Sequence, residues 1–301
     1  MTAVDEGTRT RRAAPAAGAR RRRRSTSTAL LGLWGALVLV FLFLPIAVIV
    51  VYSFNTGRLL TSWQGFGFSA YAAGLDRPVI RTAIATSVQA AVGAALLSAV
   101  IGSLAGLALA RRGGRWAGLL TLLLGLTLVT PEIMDAISLL GWFVSLDSDA
   151  GLSLFGNGLA RLVIAHSVLS TAVVTFIVRA RVAGTDSALE EAAADLYATP
   201  WARFRTVTLP LAAPGVLAGG LMAFTLSLDN TIVASFVQLP GGTPWPVYIL
   251  SALRAALRPE IAAVSTLMFL LTLGSLAVVA VVLRRSGDSA TDIARTLTGG
   301  G

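Results

Sequence analysis

Leu189–Pro210 reads LEEAAADLYATPWARFRTVTLP. It is charged and helix-prone, and it interrupts a chain that is otherwise apolar. Ser187-Ala188-Leu189-Glu190 has the capping-box pattern, in which Ser187 accepts from the Glu190 amide and the Glu190 side chain reaches back. Glu190 and Glu191 suit the positive end of a helix dipole, and Ala192, Ala193 and Ala194 favour the helix itself. Thr199-Pro200 offers a second cap, with proline at the first helical position. The spacing therefore predicts two short helices with a bend near Tyr197–Thr199. In the second helix Trp201, Phe204 and Val207 fall at i, i+3 and i+6, flanked by Arg203 and Arg205. Two uses fit such an element: a docking surface for a partner protein, or an amphipathic helix lying on the inner leaflet.

The surroundings of this loop set the fold class. Of 301 residues, 55% are hydrophobic and only 13% charged, about half the charge of a soluble domain. Six segments are long and apolar enough to cross a bilayer, which needs about 20 residues. They run over roughly 30–52, 82–110, 117–141, 159–180, 213–237 and 261–283. No segment alternates as a barrel strand would. The expected fold is an all-α membrane protein, a six-helix transmembrane bundle over 29–285 with the loop 185–210 between the fourth and fifth spans. Residues 1–28 and 286–301 read as disordered tails.

Arginine placement orients the bundle. All 24 basic residues are Arg, and the net charge is +9. Eighteen fall in the N-terminal tail, the 111–115 turn, the 179–212 loop and the C-terminal end, against six at Arg58, Arg77, Arg81, Arg161, Arg254 and Arg258. The positive-inside rule then puts both termini in the cytoplasm. The basic tail sits directly before a span, so it reads as a topology signal that attracts anionic membrane lipid, not as a nucleic-acid site. On the other side, Phe54, Trp63, Phe66, Phe68 and Tyr71 suit an interfacial aromatic belt or a short amphipathic helix. Residues 238–260 open with Pro-Gly-Gly turn chemistry, with a short helix expected over Val247–Leu257. That segment either caps the bundle or forms part of a docking face for an external solute-binding protein.

The composition also excludes chemistry. There is no cysteine and one histidine, His166, so neither a thiolate site nor a histidine-based metal cluster is expected. The absence of lysine removes Schiff-base and P-loop chemistry. His166, within the fourth span, suits an interhelical hydrogen bond, and small-residue runs such as 102–106 and 215–220 suit close helix packing. Glu132, Asp135 and Asp229 fall inside predicted spans, where each acid costs roughly 2.5–3.5 kcal/mol to insert. Pro131 can kink the third span beside them. With Asn230 they form a candidate translocation path for a cationic solute. The alternative is that the acids neutralise Arg161 or reach the outer headgroups.

Residues from about 60 to 283 resemble the integral-membrane subunit of type I ABC importers. The signature of that family is EAA-x3-G-x9-I-x-LP, which this chain matches at Glu191, Ala192, Ala193, Leu209 and Pro210, with Val207 for Ile. It departs at Tyr197, where the family usually has Gly, which implies either a changed bend or local strain. The resemblance implies that Glu190, Glu191, Ala192, Ala193, Asp195, Tyr197, Pro200, Trp201, Phe204, Leu209 and Pro210 form the ATPase-coupling loop. It implies as partners ABC ATPase subunits, a second homologous permease and a solute-binding protein. ATP would be bound by the ATPase, with no cofactor, metal or catalytic site in this chain. PLAAPGVLAGGLMAFTLSLDN (210–230), PGGTPWPVYI (240–249), PEIAAVSTLM (259–268) and Pro131-Glu132-Ile133 resemble the polyamine-type permeases of spermidine/putrescine systems, with Asp229-Asn230 in place of a frequent pair of acids. Importers of iron(III), aminoethylphosphonate and opines share much of that pattern. A secondary transporter or channel is the rival from another class, but no internal repeat supports it, and no nucleophile–base pair supports an enzyme.

Overall fold

A computed structural model describes residues 26–111, 113–254 and 257–285. The disorder expected for 1–28 and 286–301 falls outside these residues, except that 26–28 begin the first helix. The chain divides into two units, Met1–Val48 and Ile49–Gly301. Helix α1 (Thr26–Tyr52), most of which belongs to the first, is apolar all round, and nearly every side chain from Leu30 to Val48 is exposed. Such a helix finds its solvent in lipid. The mean hydropathy of an 18-residue stretch within Leu30–Tyr52 reaches 2.9.

Among the described residues of the second unit the regular elements are all helical, apart from one isolated bridge between Asn55 and Phe66. In order it comprises α2 (Ser69–Asp76), α3 (Pro78–Arg111), α4 (Arg115–Val129), α5 (Glu132–Ser148), a 3-10 turn (Ser153–Gly156), α6 (Gly158–Ala183), α7 (Ala188–Asp195) and α8 (Pro200–Arg203). A π turn (Phe204–Thr208) leads into α9 (Leu209–Asp229), followed by α10 (Ile232–Val237), α11 (Trp245–Leu253) and α12 (Pro259–Arg285). The centre is α3, α6 and α9, each packed on the other two. Small residues allow it. A Cβ at Gly102 would lie 2.7 Å from the Val174 side chain, and one at Gly106 would lie 2.8 Å from the Thr175 carbonyl. His166 Nδ1 and the Ser227 hydroxyl meet at 2.7 Å between α6 and α9, the interhelical hydrogen bond expected of that histidine.

Two expected spans are not continuous. The segment 117–141 is split into α4 and α5, which meet at 105°. Thr130 is extended (φ −60°, ψ 131°), as the residue before a proline prefers, and Pro131 follows with ψ 127°. The segment 213–237 is likewise split after Asp229, because Asn230 is extended (ψ 105°) and α10 starts afresh. Among the described residues five helices are long and apolar enough to cross a membrane, and the bent α4–α5 pair can supply a sixth.

The end of the unit that holds the start of α3 is built around buried side chains. Asn55 accepts from the Gly57 and Gln64 amides and donates to the Leu59 and Ser62 carbonyls, which shapes the 55–64 loop. Phe54 stacks on Phe66 with centroids 5.0 Å apart and meets Phe68 edge-on. The helix expected over Val247–Leu257 is α11, which starts at Trp245, where the amide donates to Ser87 Oγ at 2.7 Å. Arg161 is 4% exposed; its Nε donates to the Phe155 carbonyl and its Nη2 lies 3.5 Å from Asp147.

The close approach of α3 and α6 is testable. Gly106→Ala forces a methyl against backbone and is expected to cost about 1–3 kcal/mol, as overpacking does. Gly125→Ala, where nothing lies within 4 Å, should be neutral or slightly stabilising. Thermal unfolding of the two variants in detergent checks this, and equal midpoints would refute the packing account.

Candidate docking loop and candidate translocation cavity

The loop from 185 to 210 folds as helix, bend and helix, but not by the expected capping box. Ser187 is already helical (φ −67°, ψ −22°) and its side chain caps nothing. Asp186 takes that role, its Oδ1 accepting from the Ala188 amide at 2.9 Å. Glu190 is thereby released from capping. Its carboxylate accepts the Thr208 hydroxyl and pairs with Arg111.

The bend after α7 closes as a Schellman motif. The Ala198 amide donates to the Ala193 carbonyl at 3.1 Å, and the Tyr197 amide to Ala194 at 2.9 Å. That pattern requires a left-handed residue after the cap, and Tyr197 has φ 58°, the one positive φ outside glycine among the described residues. The tyrosine thus keeps the bend that glycine would make and carries a cost of about 1–2 kcal/mol for it. Thr199 supplies the expected second cap, accepting from Ala202 at 3.3 Å with Pro200 at the first turn.

Beyond α8 the helix widens. The Leu209 amide reaches back to the Phe204 carbonyl, five residues away, just before Pro210, which has no amide and crowds the preceding turn. Trp201 and Phe204 stack with centroids 5.6 Å apart. The predicted stripe is graded: Trp201 is 68% exposed, whereas Phe204 and Val207 are half-buried. Leu196, 82% exposed, and Tyr197, 96% exposed, add to the protruding surface. Glu191, Ala192, Asp195, Pro200, Leu209 and Pro210 are also exposed, and Ala193 is half-buried. Sequence reasoning missed Leu196, and it missed Arg111 and Thr208 as partners of Glu190. Arg111 served there only in the topology count, because contacts between residues about 80 positions apart leave no periodic signal.

The four candidate path residues do not form one group. Glu132 accepts from Asn230 Nδ2 at 2.8 Å, and both line a cavity of about 230 Å³ with Asp135, Thr130 and Val233. Asn230 Oδ1 also accepts from the Ala234 amide at 3.3 Å. The Glu132–Asn230 bond therefore joins the two helix breaks. Glu132 and Asp135 occupy the first turn of α5, where the dipole favours a negative charge. They start a new helix and are not inside one continuous helix, as the span 117–141 implied. Asp229 ends α9 and faces a different cavity, of about 550 Å³, with Ser87, Trp245, Phe269 and Thr272. None of the three neutralises Arg161, whose acid is Asp147.

Comparison with known proteins places this architecture. Residues 98–288 match the family described as binding-protein-dependent transport system inner membrane component. The chain belongs to that family. It is 35% identical over 229 residues to the putrescine transport system permease protein PotI of Escherichia coli K12, covering 76% of this chain and 81% of that protein. It is 33% identical over 246 residues to the spermidine/putrescine transport system permease protein PotC of Haemophilus influenzae, covering 82% and 93%. The same fold occurs in a bacterial ABC transporter involved in the import of the acidic polysaccharide alginate, with TM-score 0.59 and 18% identity over 87% of this chain and 98% of that one. It recurs in a bacterial alginate ABC transporter in complex with alginate pentasaccharide-bound periplasmic protein, with TM-score 0.65 and 16% identity over 88% and 94%. The chain is accordingly a multi-pass membrane protein and a permease component of an ABC importer, a transport subunit and not an enzyme.

Tyr197→Gly is expected to relieve about 1 kcal/mol at the bend. That should slow amide exchange at Ala198 about fivefold, while Tyr197→Val speeds it. Equal exchange in all three proteins would show that the left-handed tyrosine carries no strain.

Proposed function

We infer that this chain is one permease subunit of a bacterial polyamine importer. It pairs with a second, homologous permease and two ABC ATPase subunits or domains, and receives its solute from an external solute-binding protein. ATP binds to the ATPases; this chain holds no cofactor. The chain lies in the cytoplasmic membrane with both termini inside, the orientation in which its Arg-rich loops face the cytosol.

The observation that carries the reading is the loop. A protruding helix–bend–helix with Leu196, Tyr197 and Trp201 exposed at one end of an apolar bundle fits a groove on a soluble partner better than it fits lipid, because Glu191 and Asp195 share the same exposed surface. Anionic side chains are unfavourable against the negative inner leaflet. The loop converts ATPase closure into a change of access only where the two ATPase states contact it differently.

Three features favour a cationic solute of the putrescine or spermidine type. Glu132 and Asp135 line one cavity, and Asp229 shares the other with Trp245 and Phe269. An acid beside aromatic faces suits an alkylammonium group, which gains from charge pairing and from the ring quadrupole. The two relatives above are named for putrescine and spermidine transport.

Docking is tested by purifying the tagged chain with its ATPase. Trp201→Ala removes an exposed aromatic anchor and should weaken retention by about 2 kcal/mol or more, as hot-spot truncations do; Glu191→Arg should abolish it. If both variants retain the ATPase as the parent does, the docking reading fails. Substrate class is tested by uptake of radiolabelled putrescine. Asp229→Asn and Glu132→Gln are each expected to lower uptake efficiency about tenfold, the scale of one lost charge-assisted bond, with Asp135→Asn smaller. Unchanged putrescine and spermidine uptake in all three would rule out the acidic path.

A further inference from the structure

Adjacent carboxylates in the loop have opposite fates. Glu191 is exposed and makes no ion pair among the described residues, so it is free for a partner. Glu190 turns inward, with its side chain 19% exposed against 29% for Arg111. One carboxylate oxygen accepts the Thr208 hydroxyl and the other pairs with Arg111. Arg111 is the last residue of α3, and Thr208 closes the π turn that leads into α9. One side chain on α7 thus holds the ends of two of the three central helices.

We propose that Glu190 is the positioning residue that makes the docking loop, the end of α3 and the start of α9 move as one body, with Arg111 and Thr208 as its anchors. Without the clasp, a force on the exposed Trp201 end reaches α9 only along the chain, through the π turn. That turn has poorer hydrogen-bond geometry than α-helix and is the compliant joint of the segment. Along the chain it reaches α3 only the long way round, through α6, α5 and α4. Glu190 bridges both gaps: Thr208 lies on the α9 side of the joint, and Arg111 belongs to α3. The pair is partly buried, so salt screens it less than a surface pair. Burial, and after it the like charge of Arg203 on α8, disfavours the charged form of Arg111, and the Glu190 carboxylate opposes both. The direction in which force passes rests on the reading of this loop as the ATPase docking element; the mechanical link does not.

The chain has no cysteine, so cysteines placed at Ala194 on α7 and Leu104 on α3, both exposed, would carry the only spin labels on this chain, with any reactive cysteines of the partner subunits replaced by serine. Pulsed EPR on the purified transporter, without nucleotide and with ATP plus vanadate, reads the distance distribution between them. In the parent it should be narrow and unchanged by nucleotide. Glu190→Gln should broaden it about twofold, the signature of a released segment, and Thr208→Val should broaden it less. Combining Glu190→Arg with Arg111→Glu should restore the narrow distribution. A Glu190→Gln distribution as narrow as the parent overturns the proposal, as does a charge swap that stays as broad as Glu190→Gln. Loss of the ATPase from every preparation, the parent included, counts against the docking reading alone, because the parent–variant width comparison is read on this chain.

Discussion

In an apolar solvent a backbone must satisfy its own hydrogen bonds, and the places where this chain stops doing so are where its polar chemistry collects. Two such places matter. At Thr130–Pro131 a proline removes a donor and forces its neighbour into the extended region. At Asn230 the helix ends and a new one begins. Each break alone would expose unpaired groups. Asn230 satisfies a backbone amide at its own break, accepting from Ala234, and ties that break to the other by donating to the Glu132 side chain. The acids Glu132 and Asp135 then sit at the start of α5, where the helix dipole stabilises them. A polar cavity follows from the geometry of two interrupted helices.

The interrupted helices are held by uninterrupted ones. α3, α6 and α9 approach closely because glycines remove the side chains that would separate them, and dispersion between close backbones is the main attraction available to helices in lipid. The hydrogen bond between His166 and Ser227 adds a directional tie inside that core. The 185–210 loop grows out of this close-packed centre, between α6 and α9, and Glu190 ties it to α3. The protein therefore combines a close-packed trio of helices, a pair of broken elements that line cavities, and a protruding loop joined to the trio by one carboxylate.

Much of this was legible in the sequence. The apolar runs gave the helical membrane class, the residues of the coupling motif marked the loop, and Thr199-Pro200 marked the second helix. Tyr197 stood out as a departure, and the structure shows how it is absorbed: the bend stays, with a tyrosine in the left-handed region. Other readings failed for a common reason. Ser187 looked like a cap because capping boxes are local patterns, but the Glu190 amide donates to the Ser187 backbone carbonyl, Asp186 accepts from Ala188, and the Glu190 side chain found partners at Arg111 and Thr208. Arg161 looked available to the path acids until Asp147 proved to lie beside it.

The sequence by itself determined what depends on neighbours along the chain: which segments are apolar enough for lipid, where helices start, where a proline or an asparagine can interrupt them, and which loop carries a docking pattern. Only the tertiary structure decided which charges meet. Glu132 with Asn230, Glu190 with Arg111, and the separation of Asp229 from the other two acids all depend on how helices distant in sequence are turned toward one another. That rotation is set by close packing, glycine against valine across α3, α6 and α9, and packing of that kind is a property of faces in contact that no single stretch of sequence contains.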